Sequence, residues 1–315
     1  MAKLSVLQKK TKRFTREDAW GLSLASLPII GFLLFGVIPL VFSLYMSFCS
    51  TDGFLIANME LLKNPFANYG TVLSDPLFWK SVVNTLYSLL SLPLTIILSL
   101  VLSVLLANRL VRAKKLFRTL FFLPYVCSIV ALTTMWRTVM LNGDFGILNG
   151  FLGLFGINGP DWLTDPVWFM PAMIIMGVWQ SLVFNIILFS AALTNVNEAV
   201  YEAASLDGAN AFEKFFKITL PAISPTTFYV LVTGLISGLQ EFTRFQAING
   251  VSSNLISPTG PDNAGLTIVF YLYNYGFNNT AGMGIAAATS WLLCIVIALI
   301  TVLNFKLSSK WVHYD

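Results

Sequence analysis

TNVNEAVYEAASLDGANAFEKFFKITLP, residues 194–221, lies between two long apolar stretches and resembles neither. Asn195 followed by Glu198 has the spacing of a capping box, and so has Asn210 followed by Glu213. Asp207-Gly208 sits between the two segments, and glycine is the residue that accepts the positive φ a helix C-terminus requires. The stretch therefore predicts a helix, a tight turn and a second helix. In the first helix Glu198, Glu202 and Ser205 form a polar, acidic stripe, with Val196, Val200 and Ala203 forming the other face. In the second, Phe212, Phe215 and Phe216 oppose Glu213, Lys214 and Lys217. Ser224-Pro225 then has the pattern of an N-cap and first helical position. An amphipathic helix lying on lipid usually carries a basic polar face. The acidic stripe favours docking to a protein instead.

Outward from this loop the chain is dominated by apolar stretches. Of its 315 residues 56% are hydrophobic and 11% charged, with a mean hydropathy of +0.75. An ordinary soluble domain carries roughly 25% charged residues. Those figures exclude a soluble enzyme or a secreted domain and indicate an integral membrane protein. Six stretches reach the roughly 20 apolar residues a spanning helix needs: Trp20–Phe48, Val82–Ala107, Leu120–Leu141, Phe169–Leu193, Thr226–Ala247 and Ala286–Phe305. The expected fold is all-α with six transmembrane helices. The first follows a basic tail, residues 1–19, but its apolar run is too long for a signal peptide and no cleavage site closes it, so it reads as a retained span. Pro39, Pro93 and Pro124 fall inside spans and predict kinks.

Lysine and arginine set the orientation. The amino tail, the connection after the second span (Arg109, Arg112, Lys114, Lys115, Arg118), the 194–221 loop and the carboxyl tail together hold 15 of them, against 4 on the other side. Both termini, including the carboxyl tail 308–315, are expected in the cytoplasm. The net charge of +4 is too small and dispersed to suggest nucleic acid. The three cysteines, Cys49, Cys127 and Cys294, are far apart, and His313 is the only histidine, so neither a disulfide framework nor a metal site is expected. No GxxxxGK[ST] stretch occurs, so the chain has no P-loop of its own.

Glu202-Ala203-Ala204, three residues, Gly208, nine residues and then Ile218-Thr219-Leu220-Pro221 resembles the EAA motif of ABC importer permeases. The string Tyr201–Ala209, with Phe215, is similar to the carbohydrate-uptake branch, of the maltose and multiple-sugar permease type. Trp136-Arg137, Asp144 to Asn149, Trp179-Gln180 and Asn84-Thr85 fit the same branch, whereas Thr259-Gly260-Pro261 has lost one glycine of its usual Gly-Gly-Pro. The resemblance implies a type I importer permease core over residues 80–307, preceded by the first span at 20–48, in a bacterial inner membrane. It also implies a related second permease, two copies of a separate ATPase that holds ATP and magnesium, and an extracytoplasmic binding protein. In the family this loop couples to the ATPase, which points to Glu202, Ala203, Ala204, Asp207, Gly208, Ile218, Leu220 and Pro221. The chain itself is expected to bind no cofactor and to catalyse no reaction.

Polar groups inside spans usually face a cavity or another helix. Gln180 and Asn185 in the fourth span and Gln240, Glu241 and Arg244 in the fifth are the candidates for a sugar path, with Phe242 and Phe245 supplying aromatic faces. The maltose permease uses the corresponding part of its fifth span. Helix-to-helix hydrogen bonding explains Gln240 and Glu241 equally well and is the favoured reading for Asn185, and Glu241 and Arg244, three apart, can pair with each other. An ion-coupled secondary transporter is the competing reading. It needs buried acids, and Glu241 is the only acid well inside an expected span.

Overall fold

A computed structural model describes residues 16–51, 59–107, 125, 127–249, 259–278 and 282–313. Helix α1 (Arg16–Phe32) continues through a π-helical turn at Leu33–Val37 into α2 (Ile38–Met46). A short antiparallel ribbon follows, β1 (Cys49–Thr51) with β2 (Met59–Leu61), pairing Cys49 with Leu61. It is the one departure from an all-helical chain among the described residues. Next come α3 (Ala67–Ser74), α4 (Pro76–Ser88), α5 (Ser91–Ala107), α6 (Ile129–Val139), α7 (Ile147–Gly153) and α8 (Pro166–Thr194). The remainder comprises α9 (Glu198–Leu206), α10 (Ala211–Lys214), α11 (Leu220–Ala222), α12 (Ser224–Leu239), α13 (Thr243–Asn249), α14 (Ile268–Phe277) and α15 (Met283–Ser308).

Four described helical stretches are long and apolar enough to cross a membrane: Trp20–Met46, Pro76–Ala107, Pro166–Thr194 and Met283–Ser308. They coincide with the first, second, fourth and sixth expected spans. Of the third, α6 is described, while residues 120–124 and the basic connection before them lie outside the described residues, as does the amino tail up to residue 15. The fifth differs from expectation. It stops at Leu239, breaks over residues 240–242 and resumes as α13, so Thr226–Ala247 is not one continuous helix. The break is satisfied locally: the Glu241 carbonyl accepts from Thr267 Oγ1 at 3.0 Å. Non-helical backbone at membrane depth is tolerated where protein or a cavity surrounds it, and both do so here.

Two of the three span prolines stand beside irregular helix turns. Pro39 follows the π-helical turn, and Pro93 opens α5 just after the turn at Leu89–Leu90 that divides the second span. Pro124 lies outside the described residues.

Helix α5 lies along α8, and α14 along α15. The main core joins Phe169, Met170, Met173 and Met176 of α8 to Phe245 and Ile248 of α13 and Phe270 and Tyr271 of α14. Tyr271 and Tyr275 donate to one carboxylate oxygen of Asp75, at 2.7 and 3.0 Å, and Asp75 also caps α4 by accepting from Leu77 N at 2.8 Å. The first span stands apart. No residue in its apolar window is buried, and it meets the rest through α2, where Trp291 Nε1 donates to Ser43 Oγ at 3.1 Å.

Candidate functional site

The 194–221 loop folds as helix, turn, helix. The turn is a Schellman motif: Ala209 N donates to Ala204 O at 2.9 Å and Gly208 N to Ser205 O at 3.2 Å, with Gly208 at φ +79°. The second helix opens on a complete capping box, Glu213 N to Asn210 Oδ1 at 2.9 Å and Asn210 N to Glu213 Oε2 at 3.0 Å. The Asn210 amide and then Lys217 Nζ, 3.3 Å from the carboxylate, hold the Glu213 carboxyl below its ordinary pKa. Lys214 Nζ reaches back across the turn to Ser205 Oγ at 2.7 Å.

Three local expectations are corrected. The cap of α9 is Asn197, whose Oδ1 accepts from Ala199 N at 3.0 Å, while Asn195 ends α8. The inward face of α9 carries Tyr201 and Ala204, whereas Val200 and Ala203 face outward. The cause is Tyr201, whose hydroxyl turns in to Thr219 Oγ1 at 2.8 Å. Ile223, not Ser224, precedes α12, and Ser224 Oγ accepts from His313 N at 2.9 Å instead. Phe215, Leu220 and Ile223 join Leu100, Phe189 and Val230 in a second core, so the loop is packed onto three spans.

Outward, the loop presents Glu202, Asp207 and Gly208, with Leu206 at 90% and Phe212 at 72% exposure. Glu202 makes no hydrogen bond or ion pair among the described residues. Ala204, Ile218, Leu220 and Pro221 are half-buried and face the loop's own packing.

A cavity of about 400 Å³ lies between α5, α6, α8 and α12. Gln180, Asn185, Glu241 and Arg244 line it. Gln240 does not. It faces a separate cavity of about 330 Å³ on the side of α14 and α15. The break at 240–242 turns the two neighbouring side chains in different directions. Phe242 packs against Phe270 and Tyr273 (ring centroids 5.6 and 4.8 Å apart), and Phe245 is fully buried, so neither lines the central cavity. Its aromatic walls are Tyr125, Phe184 and Tyr229 instead, with Tyr125 stacked on Phe184 at 5.6 Å and 9°.

Arg244 is 6% exposed. Its Nη2 lies 3.4 Å from Glu241 Oε2, and its backbone N donates to Glu241 Oε1 at 3.3 Å. The guanidinium carbon lies 5.7 Å from the Phe245 ring centre, within cation–π range. Room for it comes from α8: a Cβ on Gly177 would stand 2.1 Å from Arg244 Nη1. Buried Arg244 Nε, Gln180 Nε2 and Trp136 Nε1 have no hydrogen-bond partner among the described residues.

Asn84, Thr85 and Asn149, three more of the expected motif residues, hold neighbouring segments in place. Asn84 donates to the carbonyls of Asn263 and Leu266 at 2.9 and 3.0 Å, and Thr85 Oγ1 accepts from Ile268 N at 3.0 Å, pinning the 259–268 segment to α4. Asn149 Oδ1 accepts from Trp162 Nε1 at 2.6 Å and Asn149 Nδ2 donates to Pro160 O at 3.1 Å. Gly234 and Gly238, four apart on α12, admit Leu92 and Leu89 of the second span, whose tips would lie 2.3 and 2.5 Å from an added Cβ. This GxxxG spacing was legible in the sequence and carries a packing role. Gly177 gave no such signal.

Residues 96–308 match the family described as binding-protein-dependent transport system inner membrane component. The chain is 36% identical over 310 residues to the probable ABC transporter permease protein YesP of Bacillus subtilis, covering 98% of this chain and 96% of that one. It is 31% identical over 298 residues to the lactose transport system permease protein LacF of Rhizobium radiobacter, covering 93% and 95%. Among solved structures it is similar to a chain of a bacterial alginate ABC transporter in complex with an alginate pentasaccharide-bound periplasmic protein, with a TM-score of 0.77, 27% identity and coverage of 93% and 96%. The apolar helices, the exposed helix–turn–helix loop and these likenesses together make the chain a membrane protein of the binding-protein-dependent transport system inner membrane component family.

Proposed function

We propose that this chain is one membrane subunit of an ATP-driven importer that takes up a sugar or oligosaccharide delivered by an extracytoplasmic binding protein. It pairs with a second related permease and with two copies of an ATPase that holds ATP and magnesium. It sits in a bacterial inner membrane with six spans and both termini in the cytoplasm. The observation that carries this reading is the loop: a rigid Schellman turn and capping box, packed onto three spans, present an unpaired Glu202 and the exposed apolar residues Leu206 and Phe212. A protein partner, not lipid, suits a surface that combines an acid with protruding apolar tips. Motion of such a partner would pass through Phe215, Leu220 and Ile223 to the spans around the cavity. The relatives named for lactose, arabinooligosaccharide and alginate transport support a sugar as the cargo.

The secondary-transporter alternative lacks its coupling acid: both carboxylate oxygens of Glu241 are engaged by Arg244. Two measurements on cells carrying the full transporter test the proposal. Single cysteines at Ser5 and Asn210 should be shielded from an impermeant thiol reagent and one at Asp161 should react; labelling of Asn210 from outside refutes the topology. Glu202→Lys should abolish uptake and loosen ATPase co-purification while the chain still inserts, since breaking a buried charged contact costs about 2–5 kcal/mol. Normal uptake with normal ATPase retention would remove Glu202 from the coupling contact.

A further inference from the structure

Arg244 and Glu241 are the only residues with ionisable acid or base side chains of the Asp, Glu, Lys, Arg or His type that line the central cavity among the described residues. They are also committed to each other. Arginine stays protonated in proteins, so the cavity wall holds one permanent positive charge. Glu241 neutralises it through the ion pair of Oε2 with Nη2, and is itself held in place by the Arg244 backbone N–H, which donates to Oε1. The arrangement is built: Arg244 is only 6% exposed and is seated where Gly177 has no Cβ. Gln180 Nε2 and Arg244 Nε lack acceptors but are themselves buried, so the polar group the wall leaves open is the uncharged Asn185 amide, which makes no hydrogen bond among the described residues.

We propose that the Glu241–Arg244 pair is a charge filter, which makes the cavity selective for uncharged, hydroxyl-bearing solutes over carboxylate-bearing ones. An anion that sheds water on entering the cavity gains most from an unpaired positive charge. Here the positive charge is already matched, so an acidic sugar gains no net attraction. A neutral sugar sheds no ionic hydration shell and needs only hydrogen-bonding groups on the wall, such as the free Asn185 amide. The filter rests on the sugar-import reading for its natural cargo, but the electrostatic claim concerns this wall alone and sets this chain apart from the similar chain of a transporter that imports the acidic polysaccharide alginate.

The test uses the assembled transporter in lipid nanodiscs, with the native cysteines replaced and one cysteine placed at Ser237, an exposed residue of the cavity wall. Its modification rate is measured with neutral and anionic thiol reagents of similar size, and the ratio is referred to a cysteine at the exposed Asn278. In the otherwise unaltered wall the anionic reagent should be no faster, relative to the neutral one, than at the reference. In Glu241→Gln the unpaired Arg244 should raise the relative anionic rate about tenfold, the effect of one added charged interaction of about 1.4 kcal/mol. The double variant Glu241→Gln with Arg244→Gln should return the ratio to its starting value. A relative anionic rate already raised tenfold with Glu241 present overturns the proposal, and this comparison needs no Glu241 variant to fold. An unchanged ratio in an assembled Glu241→Gln transporter overturns it as well. Uptake of neutral and uronic-acid trisaccharides by the unaltered transporter keeps the two readings apart: transport of neither sinks the sugar-import reading whatever the thiol rates, and preferred transport of the uronate sinks the filter alone.

Discussion

Gly208 offers a clean separation of backbone strain from crowding. It holds φ +79° at the centre of the Schellman turn, and a Cβ built there meets nothing within 4 Å. Any cost of a larger residue is therefore conformational. An L-residue pays about 1–2 kcal/mol to occupy the left-handed region, asparagine less, and a β-branched residue more. Each 1.4 kcal/mol moves an equilibrium about tenfold, so the series Gly208→Asn, Gly208→Ala, Gly208→Val should lower the population of the formed turn in that order. The two bonds at risk are Ala209 N to Ala204 O and Gly208 N to Ser205 O, which fix how the Glu202 helix is presented. The assays are uptake in cells and the fraction of ATPase retained when the permease is purified. Asparagine should retain most of both and valine little of either. If valine matches glycine, the positive φ has no functional weight. If asparagine is as damaging as valine, the glycine is needed for close approach of the partner, and the strain argument fails.

Gly177→Ala should cost about 1–3 kcal/mol, as overpacking of a buried site does, because the new methyl meets Arg244 Nη1 at 2.1 Å; the midpoint of thermal aggregation of the solubilised complex reads this, and no shift would show that the guanidinium relocates freely. Gly234→Ala should be milder in the same assay, since its clash is with the movable tip of Leu92, and a larger loss than Gly177→Ala would refute that ranking. Asn149→Ala leaves the buried Trp162 Nε1 and the Pro160 carbonyl without their partner, a loss of about 1–3 kcal/mol per group; Asn149→Ala as stable as the parent would mean that water replaces the amide.

The sequence by itself determined a good deal here. The scarcity of charge and the length of the apolar runs place four described spans within a few residues of expectation, because hydrophobic length is a local property that no packing partner can alter. The Gly208 turn and the Asn210–Glu213 box were legible for the same reason: each is written in residues three or four apart. The inward turn of Tyr201 was decided by a contact with Thr219 eighteen residues away, and the cap fell to Asn197 because α8 runs on to Thr194 and takes Asn195 as its own end. The cavity shows the limit more plainly. Glu241 and Arg244 were read as neighbours that can pair, and they do. That Gln240 faces the other way, that Tyr125 and Phe184 supply the aromatic wall, and that Gly177 makes room for Arg244 depend on a break in one span and on the approach of others. Periodicity assigns a residue to a face only while the helix continues; at residues 240–242 it stops, and from there the direction of each side chain is set by what packs against it.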